Sequence, residues 1–148
     1  MSALRVRART DFVPCFLALC VVACTSTSPS TTTTNAAGFS TTPLGSATSS
    51  TKMYSMTMYG PPAGVVQGLN TIEIDVVDTN NAPVDDLSIS IVPWMPTMGH
   101  GTSVIPQIQP KGGGVYVATD VALIMPGLWQ LRTALTPTEE AIVSFELQ

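Results

Sequence analysis

The chain has 148 residues, of which 45% are hydrophobic and 11% charged, enough for one folded domain plus appendages. Ten carboxylates outnumber six Lys and Arg, for a net charge of −4. That balance argues against a nucleic-acid partner, because binding to phosphates rests on cationic neutralisation.

Residues 1–24 read as an export signal. Arg5, Arg7 and Arg9 form a basic start, and an apolar run follows from Phe12 to Ala23, interrupted only by Pro14. The run is shorter than the roughly 20 residues that span a bilayer as a helix. It ends in Val21-Val22-Ala23-Cys24, which resembles a bacterial lipobox; Leu17-Ala18-Leu19-Cys20 is a poorer match, because leucine is large for the position before the cysteine. The resemblance implies that Cys24 carries a lipid and becomes the mature N-terminus. The plainer alternative is a secretory peptide cut near Ala23. Thr25 rather than aspartate follows Cys24, which by resemblance to enterobacterial sorting implies an outer-membrane anchor facing the periplasm.

Loss of the leader changes the chemistry of what remains. Cys15, Cys20 and Cys24 all lie in it or at its end, so the mature domain has no disulfide and no thiolate ligand. Lys52, Lys111 and Arg132 then face nine carboxylates, a net charge of about −6.

Residues 25–51 are almost all Ser, Thr, Ala, Gly and Pro, with Phe39 and Leu44 as the larger apolar residues. Such a composition buries too little surface to offset the entropy of ordering it, and predicts a disordered tether with a reach of about 30 Å.

Residues 52–148 show a period of two. Tyr54, Met56 and Met58 alternate with Ser55 and Thr57, and Ile72, Ile74 and Val76 with Glu73 and Asp75. Leu87, Ile89 and Ile91 form a third run, and Val104 to Gln109 a weaker fourth. Val115, Val117 and Val121 are assigned one face across Thr119. Trp129, Leu131 and Leu135, then Val143, Phe145 and Leu147, complete seven strands. Turn residues separate them at Gly60-Pro61-Pro62, Asn80 to Pro83, Gly112 to Gly114, Pro126-Gly127 and Pro137. The pattern predicts an all-β, monomeric, immunoglobulin-like sandwich, with Trp94 or Trp129 as its large central residue.

The chemistry concentrates in Met95-Pro96-Thr97-Met98-Gly99-His100, which holds two thioethers and the only histidine. Thioether and imidazole together suit Cu(I) better than Mg²⁺, Ca²⁺ or catalytic Zn²⁺. Prolines and glycines around them predict an exposed turn. If consecutive strands are antiparallel, the connection carrying Met95, Met98 and His100 lies at the same end as the one carrying Met125. Those four residues are the expected metal ligands. Methionine more often fills core gaps than binds metal, and Met56 and Met58 are expected to do so.

Other chemistries lack parts. One histidine and no free thiol leave no nucleophilic triad and no Cys/His zinc site, so an enzyme is not expected. Lys111-Gly112-Gly113-Gly114 lacks the residues of a phosphate loop and reads as a hairpin turn. Asp85-Asp86 and Glu139-Glu140 read as solvated turns.

Met-Pro-x-Met-Gly-His at Met95 to His100, Gly-Val-Tyr at Gly114 to Tyr116 and Met-Pro-Gly-Leu-Trp at Met125 to Trp129 resemble the YtkA-like domain family. The resemblance is carried by about Ser88 to Leu135, and by architecture alone before that. The family is related to the FixH-type proteins of cytochrome oxidase assembly, which implies an exported immunoglobulin-like module with a copper-protein or oxidase-assembly partner. The alternative is a structural or protein-interaction domain that holds no metal.

Overall fold

The computed structural model describes residues 33–148; the leader, Cys24 and the beginning of the expected tether lie outside them. The described chain forms nine strands: β1 Pro43–Thr48, β2 Tyr54–Tyr59, β3 Gly68–Asp78, β4 Ser90–Met95, β5 His100–Gly101, β6 Gln107–Gly112, β7 Val115–Leu123, β8 Gly127–Thr136 and β9 Glu139–Leu147. Among the described residues no helix is long and apolar enough to cross a membrane.

Two antiparallel sheets hold these strands, in the orders β1-β2-β3-β7-β6 and β5-β4-β8-β9. If the seven expected strands are lettered A to G, the sheets read A-B-E-D and C-F-G, the immunoglobulin arrangement. β1 adds a strand beside A, and the two-residue β5 adds one beside C. The inward faces are those that the alternation marks. Met56 and Met58 of β2, Ile72, Ile74 and Val76 of β3, Trp129, Leu131 and Leu135 of β8, and Val143 of β9 are all essentially inaccessible to solvent. Burying each such side chain contributes about 1.5–3 kcal/mol, which must stabilise a core without a disulfide. Trp129 is the central aromatic; Trp94 lies on the outer face of its sheet, under the Arg132 guanidinium at 4.7 Å.

Three expectations are corrected. Residues 33–51 are not a tether throughout: β1 pairs with β2 from Pro43↔Tyr59 to Thr48↔Ser55, and Leu44 packs against the core. Before it, Asn35 folds 33–41 back on itself. Its Oδ1 accepts from the Ala37 and Phe39 amides, and its Nδ2 donates to Glu73. Backbone pairing and one amide side chain do here what apolar burial does elsewhere.

The core face of β7 is Tyr116, Ala118 and Val121, not Val115, Val117 and Val121. The register slips between Asn70↔Val121 and Ile72↔Ala118, with Asp120 at φ 59°. This bulge reverses the parity of the strand, so residues two and three apart share a face. Tyr116 then reaches out of the core; its hydroxyl donates to Val84 O and accepts from Leu87 N, pinning the long β3–β4 connection.

Glu139 is not a solvated turn residue but a buried one that starts β9, where it accepts from Thr51 Oγ1 at 2.5 Å. Asp85 stays exposed, yet its carboxylate accepts the Gly113 and Gly114 amides and caps the β6–β7 turn.

Candidate metal centre

β2, β4, β7 and the start of β3 and β8 place three connections at one end of the sandwich: 60–67, 96–106 and 124–126. The Met/His turn and Met125 therefore share a rim, as the strand count predicts. Gln67 Nε2 donates to Ile124 O at 2.7 Å, tying the first of these connections to the third.

β4 ends at Met95, and the chain reverses at once. The amides of Met98 and Gly99 both donate to Met95 O, at 3.2 and 3.0 Å, and Gly99 takes φ 69°. His100 then pairs with Met95, and Gly101 with Trp94. Gly101 is required there: a Cβ would lie 2.3 Å from Pro93 O. Directly opposed residues in an antiparallel ladder carry side chains on the same face, with Cβ atoms about 4.5–5.5 Å apart. His100 and Met95 thus start side by side across the ladder, although Met95 is buried and His100 is exposed.

Here the structure departs from a turn exposed throughout. Met95 is only 2% exposed and belongs to the core, because it is the last residue of a strand facing inward. Its Cε lies 3.2 Å from the position of a Cβ on Gly127, two residues past Met125. Met125 is half-buried, packed on the core, with its carbonyl accepting from Trp129 Nε1 at 2.9 Å. Met98, by contrast, is 56% exposed at the tip of the turn. Of the four expected ligands, Met95 and His100 are directly opposed, Met125 lies two residues before the Gly127 that Met95 Cε packs against, and Met98 stands outermost.

His100 is exposed, and its Nδ1 lies 3.2 Å from Gly101 O. A carbonyl only accepts, so Nδ1 carries the proton and the Nε2 lone pair is left for another partner. This is the hydrogen-bond pattern that orients imidazoles at metal sites. Among the described residues no three His, Cys, Asp or Glu side chains gather as a metal set, so a metal at this rim would rest on thioethers and one imidazole. That donor set fits a soft monovalent ion and does not fit Mg²⁺ or Ca²⁺.

Gly101 and Gly127 are the site-shaping residues that side-chain reasoning passes over. The signal for both is glycine immediately after a candidate ligand motif, in His100-Gly101 and Pro126-Gly127.

A second polar concentration lies on the outer face of the first sheet. Glu73 and Asp75, two apart on β3, line a pocket of about 390 Å³ with Asn35 and Lys111. Burial raises both carboxyls above their ordinary range; at Glu73 the Asn35 hydrogen bond opposes the rise, and the Asp75 charge adds to it.

No curated protein and no solved structure matches the chain. The family model described as YtkA-like matches residues 48–134, from the end of β1 through most of β8. That match spans more than half of the sequence and contains the whole rim with its Met/His turn, and the chain belongs to the YtkA-like family.

Proposed function

We propose that this protein is a lipid-anchored module of the bacterial cell envelope, facing the periplasm, that holds Cu(I) at the Met/His rim and passes it to a copper-protein or oxidase-assembly partner. It is a binding module and not an enzyme. The observation that carries this reading is the placement of His100: exposed, its Nδ1 directed at Gly101 O so that Nε2 is the nitrogen available to an ion, and its backbone paired with that of Met95. Met98 and His100 form the accessible pair that meets the ion, and Met95 or Met125 supplies a third donor from beneath. An exposed soft site suits a carrier, since an ion held from one side can leave by ligand exchange. Lipidation at Cys24 supplies the anchor.

The test is competition against a chromophoric Cu(I) chelator. His100→Ala and Met98→Leu should each weaken binding by about tenfold or more, equivalent to about 1.4 kcal/mol. Equal affinities in wild type and both variants would remove the copper reading.

A specific observation favours a second reading, a protein-interaction domain. The outer face of β4, β8 and β9 carries a groove of about 450 Å³ lined by Val92, Trp94, Arg132 and Ile142, with Val92 and Ile142 exposed. A partner that binds the metal-free protein and is lost with Val92→Glu would support it.

A further inference from the structure

The rim that carries the Met/His turn is also the apolar end of the molecule. Most of the exposed large hydrophobic residues lie there: Val66 and Leu69 beside the β2–β3 connection, Met98, Val104 and Ile105 in the β4–β6 segment, and Ile124 and Leu128 flanking β7–β8. Ile105 is 76% exposed and Leu69 62%, values far from those of side chains that pack within the domain. The three connections are joined to one another through Gln67 with Ile124 and through Met95 with Gly127, so these side chains gather at one end of the sandwich, Leu69 on the outer face of the first sheet and Leu128 on that of the second.

The segments that form this end carry no acidic or basic side chain apart from His100. Residues 60–72, 87–110 and 121–131 contain no Asp, Glu, Lys or Arg. Glu146, opposite Leu128 on β9, and Asp120 in the β7 bulge are the nearest flanking carboxylates along the ladders. Most of the other carboxylates sit elsewhere: Asp78, Asp85, Asp86, Glu139 and Glu140 at the far end, and Glu73 and Asp75 on the outer sheet face. A protein surface this apolar and this free of charge signals a site of contact with an apolar phase or partner.

The course of the chain selects between them. Thr41 N donates to Thr33 O, and Ser40 N donates to Gly60 O, the first residue of the β2–β3 connection. The described chain thus begins at Thr33 on the rim side of the sandwich. Thr33 is nine residues after Cys24, a reach of at most about 32 Å when fully extended. The apolar run Phe12–Ala23 precedes that cysteine.

We infer that the apolar rim rests on the lipid bilayer surface, with Leu69, Ile105, Ile124 and Leu128 inserted at the level of the headgroups and the carboxylate-bearing end directed away. Each methylene moved from water into that layer contributes favourably, and Glu146, opposite Leu128, is the one carboxylate side chain that the ladders bring beside an inserted residue. In this orientation the His100 turn lies at the membrane surface, where a membrane-embedded acceptor of the ion would present its own ligands. The inference rests on the anchored reading for its choice of occupant and not on metal binding.

The experiment uses the full-length, metal-free chain with and without phosphatidylcholine vesicles, read by amide hydrogen exchange. Vesicles should slow exchange several-fold in residues 62–69, 102–106 and 123–128, and leave 79–87 and 137–138 unchanged. Ile105→Glu should abolish the protection in 62–69 and 123–128 while the strands exchange as in wild type. If that variant unfolds, Trp94→Phe provides a second measurement. Its remaining Trp129 lies under the rim and should be quenched by lipids brominated high on the acyl chain. A vesicle-bound chain with an unprotected rim overturns this inference alone, and a chain that does not associate with vesicles overturns it together with the anchor. Equal protection without vesicles would mean that another part of the protein covers the rim, and would overturn it too. Failure of copper binding leaves all these outcomes readable.

Discussion

His100 stands directly opposite Met95 across the β4–β5 ladder, and Gly101 makes that pairing possible by lying against Pro93 O. The ring's position is therefore set by a backbone approach that no side chain can share. Gly101→Ala brings a Cβ to 2.3 Å from that oxygen, so the two strands must separate. Because β5 is a two-residue edge strand, the domain should survive with a loss of about 1–3 kcal/mol, the usual range for forced overpacking. Cu(I) affinity should fall by about as much as in His100→Ala, since both remove the imidazole from Met95. Wild-type affinity in Gly101→Ala would show that the ladder does not position the ligand.

Gly127 joins the second half of the site to the first. Its φ of 126° lies where side-chain-bearing residues are strained, and its missing Cβ leaves room for Met95 Cε. Gly127→Ala should cost about 1–3 kcal/mol, measured by urea unfolding. The 3.2 Å contact can relax, because the end of a methionine is flexible; the backbone cannot. Adding Met95→Leu should therefore recover less than about 0.5 kcal/mol. Full recovery would assign the cost to the contact instead.

How much of this was legible in the sequence follows the physics of each element. β2, β3, β8 and β9 announce themselves because one face is buried along the strand and the alternation is unbroken. β7 misleads because the Asp120 bulge inverts its parity, and a bulge leaves no reliable mark in the alternation. β1 is silent because Pro43-Leu44-Gly45-Ser46-Ala47-Thr48 is held mainly by its ladder to β2, and backbone hydrogen bonds do not depend on side-chain polarity. At the rim, counting antiparallel strands suffices to bring Met125 to the same end as His100. The count does not separate Met95, which closes a strand and turns inward, from Met98 three residues later.

Asp75 lies on the outer face of β3, with one carboxylate oxygen buried and unpartnered, and burial raises its carboxyl above the ordinary range. A raised folded value means that the native state holds the proton more tightly than the unfolded chain. Stability from this group therefore grows as pH falls into the raised range and is lost as pH climbs through it. Asp75→Asn should stabilise the protein at neutral pH by less than about 1 kcal/mol, since the site is partly open and screened. The advantage should fade as pH falls toward the ordinary carboxylate range. Removing this charge also removes one of the influences that raise Glu73 and Tyr59. Urea titrations of both proteins across that range decide it; a variant less stable at neutral pH would contradict the assignment.

Glu139 has the opposite sign. Its carboxylate accepts from Thr51 Oγ1 at 2.5 Å, from Thr51 N at 3.2 Å and from Ser50 Oγ at 3.5 Å. The Thr51 hydroxyl first, then Ser49 and the remaining donors of this turn, hold the carboxyl below its ordinary range. A depressed folded value contributes stability that is present above the unfolded value and lost as pH falls through the folded one. Glu139→Gln keeps the shape but removes the charge that strengthens these hydrogen bonds. It should lower the unfolding midpoint at neutral pH and converge on wild type in acid, where the wild-type carboxyl is protonated as well. Amide exchange in residues 49–53 should rise with it, because Ser50 N also donates to Glu140 O and the turn is tied to β9 at this one place. If the variant kept wild-type exchange in 49–53 at neutral pH, the turn would be held by the backbone ladder alone, and the Ser/Thr stretch before β2 would owe its order to β1.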